Sequence, residues 1–255
     1  MQKLHRYCLL LACTTLTFFT GCNKLFDHIK DHPDEYNTSC KIKRLTLDGS
    51  LGIITADIVY NKWDDPVSII PTHVNTGNPN WYFYYDNKHR LTEILKPYNN
   101  GAYESWTRFY YDNKGRISMD TTYVFGVVGN PWGNATLGPY VTEYQYDTKG
   151  RLVVSDTRYP ENPQHFIRTS TYDSNGNKVT GDTYDNKLNF HRTHKLWMFL
   201  DQDYSVNNAL PVVGYNDKGL PLKIKGNLRS FLNFQVQFQD TAGIAISYKC
   251  DDSVF

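Results

Sequence analysis

Apolar and polar residues alternate with a period of two along most of the chain, and short polar turns break the alternation at near-regular intervals. In Trp81–Tyr85 ("WYFYY") aromatic rings fall on both faces; Phe109 and Tyr111, Tyr144 and Tyr146, Ile117 and Met119, and Leu152 and Val154 continue the pattern on either side of turns. Period-two patterning rich in aromatic and β-branched residues predicts strands. The intervening turns are versions of one another: "YDNKHRL", "YDNKGRI", "YDTKGRL", "YDSNGNKV" and "YNDKGLPL". The tyrosine before each turn falls at Tyr60, Tyr85, Tyr111, Tyr146, Tyr172 and Tyr215, with Phe238 as a degenerate seventh, at intervals of 25, 26, 35, 26, 43 and 23 residues. A unit of about 25 residues therefore repeats, stretched twice by insertions.

Each unit predicts a hairpin for a local reason. Asp112 can accept from the amides just ahead of it, Asn113 and Lys114 suit the centre of a type I turn, and Gly115 can take positive φ. A type I turn closed by a left-handed glycine is the three-residue hairpin loop. Gly150, Gly176 and Gly219 hold the same place; His89 and Asp64 replace glycine, so those two turns should be strained or differently shaped. "TYDNKLNF" (Thr183 to Phe190) reads as a connection to the next hairpin, giving a continuous antiparallel meander of about fourteen strands at two per unit. No segment carries a sustained helical period; at most the region from His28 to Tyr36 forms one turn of helix. Of the insertions, Gly126 to Pro139 reads as a long Gly/Pro loop presenting Trp132. His191 to Leu210 contains an apolar strand, Leu196 to Leu200, and then a turn-rich piece.

The first residues stand apart. Lys3 and Arg6 precede an apolar run from Cys8 to Phe19, too short for a permanent span. "FTGC" follows, the order of a secretory signal. The Gly21–Cys22 junction resembles a bacterial lipobox, with Phe19 and Thr20 departing from its strict pattern. That resemblance implies cleavage before Cys22 and a lipid on its sulfur, and hence an exported, outer-membrane-anchored protein; a plain signal peptide with an incidental cysteine is the alternative. No later stretch is apolar enough to cross a membrane. The expected organisation is a signal at 1–21, a polar tether at 22–39 and a β domain at 40–255. Without residues 1–21 the formal charge falls from +1 to −1, which lacks the basic footprint that nucleic acid requires.

With these residues in view, the chain resembles the YD-repeat family of the Rhs and teneurin type, on Tyr-Asp-x-x-Gly-Arg-Leu at Tyr111 to Ile117 and Tyr146 to Leu152, and "YDNKHRL" at Tyr85 to Leu91. More narrowly it is similar to small YD-repeat lipoproteins of Bacteroidetes, many of which carry a "YSxNN" segment such as Tyr204 to Asn208. The resemblance implies hairpins laid side by side into a curved sheet and no catalytic residues within the repeats. The expected fold is thus all-β: an antiparallel meander of hairpins in one strongly curved sheet, open, rolled or closed.

Candidate chemistry is sparse. "DSNGN" (Asp173, Asn175, Asn177) starts like a calcium loop, but the late Glu is absent and Tyr184 stands there; turn formation accounts for every copy. His191 and His194, on a strand, would point to opposite faces with no ligand completing a metal site. No Gly-x-Ser-x-Gly elbow occurs. Asp201 and Asp203 are the one carboxylate pair near an insertion; i and i+2 on a strand, they would share a face and could serve acid–base chemistry in a polysaccharide hydrolase, a solvated loop being the alternative. No cofactor is expected. The aromatics exceed what turns require: most tyrosines suit cross-strand ladders, while Trp63, Trp106 and Trp132 are candidates to stack on a ligand. Cys40 and Cys250 remain as a candidate disulfide. The edges of a flat fourteen-strand sheet would lie roughly 60 Å apart at about 4.8 Å per strand, so on this reading a bond between them demands that the sheet roll until its ends meet. The leading expectation is a lipid-anchored, non-catalytic envelope protein binding a protein or glycan partner; the rivals are a structural role through strand edges and the hydrolase.

Overall fold

The computed structural model describes residues 27–33, 35–36, 39–49, 52–129, 134–159, 162–209, 211–225 and 243–251. Cys22, Trp132 and Phe238 lie outside them.

Twelve strands form one antiparallel sheet. Ten follow in chain order: β1 (Cys40–Gly49), β2 (Gly52–Tyr60), β3 (Pro66–Pro71), β4 (Trp81–Tyr85), β5 (Leu91–Pro97), β6 (Ala102–Tyr111), β7 (Ile117–Val127), β8 (Leu137–Tyr146), β9 (Leu152–Tyr159) and β10 (Asn162–Thr169). The meander then stops. β11 (Tyr184–Leu188) and β12 (Asn207–Ala209) pair only with each other, while β14 (Ile244–Cys250) returns beside β1 and carries β13 (Lys223–Ile224) on its outer edge. The expected all-β antiparallel meander is borne out over ten strands, and its unbroken continuation to about fourteen is corrected. The sheet is open, with edges at β10 and β13. Cys40 faces Cys250 in the β1–β14 register, and the two form a disulfide. No rolling is needed, because the last strand pairs with the first.

The turn geometry follows from the repeated residues. In the Tyr111 unit, Asp112 Oδ1 accepts from the amides of Lys114 and Arg116, both at 2.9 Å, and Oδ2 accepts from the Arg116 guanidinium at 2.8 and 2.9 Å. The Tyr85 and Tyr146 units repeat this through Asp86–Arg90 and Asp147–Arg151. Asn61 does the same for the amides of Trp63 and Asp65. Gly115 takes φ +77°, and a Cβ there would meet nothing within 4 Å. His89 and Asp64 adopt the same positive φ, at 57° and 69°, so those turns keep the shape and carry its steric cost.

Neighbouring hairpins are stitched by the tyrosines. The hydroxyls of Tyr60, Tyr85, Tyr111 and Tyr146 donate to the carbonyls of Ile42, Pro66, Leu91 and Ile117, each near the start of a strand in the preceding unit. The guanidinium of Arg90 lies over the Tyr111 ring, that of Arg116 over Tyr146 and that of Arg151 over Tyr172. Each turn thus caps its own hairpin and packs on the next.

The inward face is covered by a plug cut from the second insertion. Phe190–Thr193 form a 3-10 turn and Lys195–Leu200 an α-helix, α2; residues 27–31 are a short helix, α1. The strand expected over Leu196 to Leu200 is corrected to helix. Trp197 is fully buried, with its ring 6.2 Å from Phe83; Phe199 lies 6.0 Å from Phe109 and 5.1 Å from Tyr144. The plug completes one core with Ile58, Ile69, Trp81 and Ile94 of the sheet. The loop expected from Gly126 to Pro139 is shorter, since β7 runs to Val127 and β8 begins at Leu137. Part of the expected tether is docked: Ile29 is buried with Leu188 and Val206, and the fully buried Arg192 donates to the carbonyls of Pro33 and Glu35.

Candidate binding surfaces

The turns after β2, β4, β6 and β8, built on Asn61, Asp86, Asp112 and Asp147, lie at one end of the sheet. There, a cleft of about 290 Å³ opens between the turns and the plug. Its floor includes Tyr111, Tyr146, Ile117, Met198 and Phe199, and the exposed Lys114 and Lys195 stand at its rim. Arg90 and Arg116 also line it, but their charge is met by Asp86 and Asp112. Burial pushes the Tyr111 hydroxyl up to about 12 and raises Tyr146 as well, so both are neutral hydroxyls near pH 7. The cleft offers apolar and cationic contact without a poised acid or base.

The carboxylate pair expected on a strand sits instead beyond the end of α2, facing His191. His191 Nε2 is 2.7 Å from Asp201 Oδ2, and its Nδ1 is 2.8 Å from Asn189 Oδ1 and 3.6 Å from Asp203 Oδ2. Asp203 also accepts from the Ser205 amide at 2.9 Å. Burial pulls the Asp203 carboxyl upward, but His191 and Ser205 outweigh it and hold it below the ordinary carboxylate value. His191 is buried, and the group closes the loop between α2 and β12. His194 is directed elsewhere: it caps α2, its Nδ1 accepting from the Leu196 amide at 3.1 Å. Burial lowers it to about 3, so it is a neutral acceptor, and Asp65 at 3.9 Å is not its ion-pair partner near pH 7. Asp173 accepts from the amides of Asn175 and Asn177, each at 2.9 Å, as a turn former. Among the described residues no group of three or more His, Cys, Asp or Glu is arranged to hold a metal ion.

A second recess, about 160 Å³, lies on the inward face under β5–β8. Asp120 accepts there from the Tyr144 hydroxyl and from Thr122 at 3.1 Å, and burial raises it to about 6. Lys96 Nζ lies 3.6 Å over the Trp81 ring; burial lowers it to about 8, against the pull of Glu104. Nothing in the sequence pattern had singled out Asp120, Lys96, Asn189 or Arg192.

Trp63 and Trp106 do not converge. Trp63 is 56% exposed at the tip of the β2–β3 turn, with its ring 4.5 Å from that of His89 and Lys62 Nζ 4.3 Å above it. Trp106 stands on the outward face of β6. It belongs to a row fixed by register: Tyr82 faces Leu95, Leu95 faces Trp106, and Trp106 faces Tyr123. Trp106 Nε1 donates to Glu93 at 3.0 Å, and Glu93 pairs with Arg108 at 2.8 Å. Tyr82 and Tyr84 are exposed beside them. Among the described residues the edge strand β10 pairs with β9 alone, and it is exposed on both faces at Phe166 and Ile167.

Neither a family model nor a curated protein matches the sequence. Among solved structures, the chain is similar to the Photorhabdus luminescens Tc holotoxin pore, at 12% identity and a TM-score of 0.31 over 69% of this chain and 9% of that one. It is also similar to a TcdB2–TccC3–Cdc42 complex, at 13% identity and 0.30 over 69% and 9%. A third match is TcdB2–TccC3 without its hypervariable C-terminal region, at 12% identity and 0.24 over 72% and 12%. The chain spans about a tenth of the length of these proteins, and TM-scores this low carry no architectural argument.

Proposed function

We propose that this is a lipid-anchored cell-envelope protein, held through Cys22, whose β domain is non-catalytic and binds a glycan partner on its outward face. The observation that carries the reading is the register-fixed row Tyr82–Leu95–Trp106–Tyr123. Tyr82, Trp106 and Tyr123 supply aromatic rings on a rigid sheet, Tyr82 exposed and the other two half-buried, around the buried Leu95 and with the Glu93–Arg108 pair beside them. Flat aromatic faces pack against the apolar faces of sugar rings, and the adjoining carboxylate and guanidinium suit hydroxyls. The closed His191–Asp201–Asp203 group and a cleft without a poised acid or base favour this surface over a catalytic site.

A glycan array probed with exported Cys22→Ala protein tests the binding. A glycan class should be retained, and Tyr82→Ala with Trp106→Ala should weaken it by about tenfold or more, of the order of 1.4 kcal/mol. An empty array, or a double variant that binds as the parent does, ends the glycan reading. Incorporation of a palmitate analogue into the parent but not into Cys22→Ala tests the anchor separately. A second reading is favoured by one observation: among the described residues no strand pairs with the outer edge of β10, which is exposed on both faces and could accept a strand from another chain.

A further inference from the structure

The hairpin tips form a row with a chemistry of its own. Counting two positions beyond the Asp or Asn of each turn gives Trp63, Lys88, Lys114 and Lys149. Each donates its backbone amide to that Asp or Asn at 2.8 to 2.9 Å. All four side chains are exposed. Successive hairpins are two strands apart, so the tips stand roughly 10 Å from one another along the end of the sheet.

In the turns after β4, β6 and β8 charge does not cancel; Asp64 of the first turn pairs with Lys41, and the turn after β10 carries Asp173 with Asn177 in place of the Arg. In three of these turns the Asp is taken by the Arg of the same turn: Asp86 by Arg90, Asp112 by Arg116 and Asp147 by Arg151. What remains per hairpin is the lysine. Lys195, on the plug, adds a further exposed cation at the rim of the cleft. Lys149 alone is partly engaged, with Asp31 at 3.3 Å and the Lys30 carbonyl at 2.9 Å.

That engagement is the second observation. It docks α1 against the tips, so the chain enters the fold at this end. Cys22 precedes Asp27 by five positions, a contour of at most about 18 Å. A lipid on Cys22 would hold α1, and with it the Lys149 tip on which α1 docks, near the bilayer.

We propose that the turn end of the sheet lies against an anionic lipid surface, with Lys88, Lys114 and Lys149 over its headgroups and Trp63 at the interface. The proposal rests on the lipid-anchor reading for the identity of the surface, and on the tip row for its charge. Basic side chains near an anionic surface attract it with a strength that falls off within a Debye length, and tryptophan favours the headgroup level. The strands would then stand perpendicular to the membrane, and the outward aromatic row, which crosses them, would run parallel to it and clear of it.

The test uses exported Cys22→Ala protein, which has no lipid at that position, with vesicles of phosphatidylcholine alone and of phosphatidylcholine with phosphatidylglycerol. The readout is the ratio of binding to the two, which cancels any apolar contribution from the rest of the chain. The ratio should exceed about a hundred at low salt, roughly fivefold for each of the three lysines, and collapse as salt is raised. Lys88→Gln with Lys114→Gln should lower it by about 25-fold, roughly fivefold per lysine. Lys225→Gln, exposed at the opposite end of the sheet, should leave it within twofold. A parent ratio near one, or an equal fall for Lys225→Gln, overturns the proposal. Failure of palmitate labelling with the ratio intact would instead remove the anchor and leave the lipid-facing end standing.

Discussion

His194 and Asp120 are buried groups that pull stability in opposite directions with pH. His194 is held at about 3 by burial, against 6.5 in the unfolded chain. Between those values the unfolded chain binds more protons, so its contribution to stability is lost as pH falls from about 6.5 toward 3. Asp120 is raised to about 6 from 3.8. There the folded state binds more protons, and stability declines as pH rises from about 4 to 6. His194→Asn keeps an acceptor for the Leu196 amide and removes the titration; the gap between melting temperatures at pH 7.5 and pH 4.5 should narrow. Asp120→Asn should stabilise the protein at pH 7.5 by about 2 kcal/mol and do little at pH 4, as read from urea midpoints. Such residues were illegible in the sequence. In "ISMDTTYVF" the alternation names two faces without saying which is inward, and Asp120 looks like any polar position of an amphipathic strand. Arg192 gave no signal because its partners are backbone carbonyls of Pro33, Glu35, Tyr204 and Ser205, which no side-chain pattern encodes.

At the scale of elements, the hairpins were legible because each turn is built from residues adjacent in the chain. The Asp, the central pair and the positive-φ position suffice, and the structure repeats them down to the hydrogen bonds. Asp112→Ala removes both amide contacts and the Arg116 pair; it should cost about 2 kcal/mol in urea unfolding. Gly115→Ala meets no neighbour within 4 Å, so it pays only for positive φ, about 1 kcal/mol. A reversed order would mean that the turn is held by backbone shape rather than by the Asp. The helix was not legible. "KLWMFL" is apolar at five of six positions, too short and too uniform for its period to separate helix from strand. Its cap is an imidazole rather than Ser, Thr, Asp or Asn. The extent of β7 was missed for a different reason. Gly126 looked like the start of a loop, but it is a strand position that lies under the Tyr103 ring, where a Cβ would come within 2.4 Å of the hydroxyl oxygen.

For the whole molecule, the pairing of β1 with β14 fixes the closure of the chain. Reasoning from a continuous meander placed the cysteines at opposite edges; what it could not contain was a final strand that bypasses the growing edge. The disulfide closes a separation of 210 residues, and Cys40→Ser with Cys250→Ser should lower stability by roughly 4 kcal/mol in urea unfolding. Because seven residue pairs join β1 and β14, the double variant should keep its far-ultraviolet spectrum at low denaturant. The plug carries a last consequence. Trp197 meets a ring of β4, and Phe199 meets rings of β6 and β8, so the short helix acts as a gauge for the number of hairpins beneath it. One more module between those strands would leave bare apolar surface, and one fewer would crowd the helix. Repeat number and insert length are therefore bound to change together, and a lineage that lengthens this sheet without disturbing its interior must do so beyond β9.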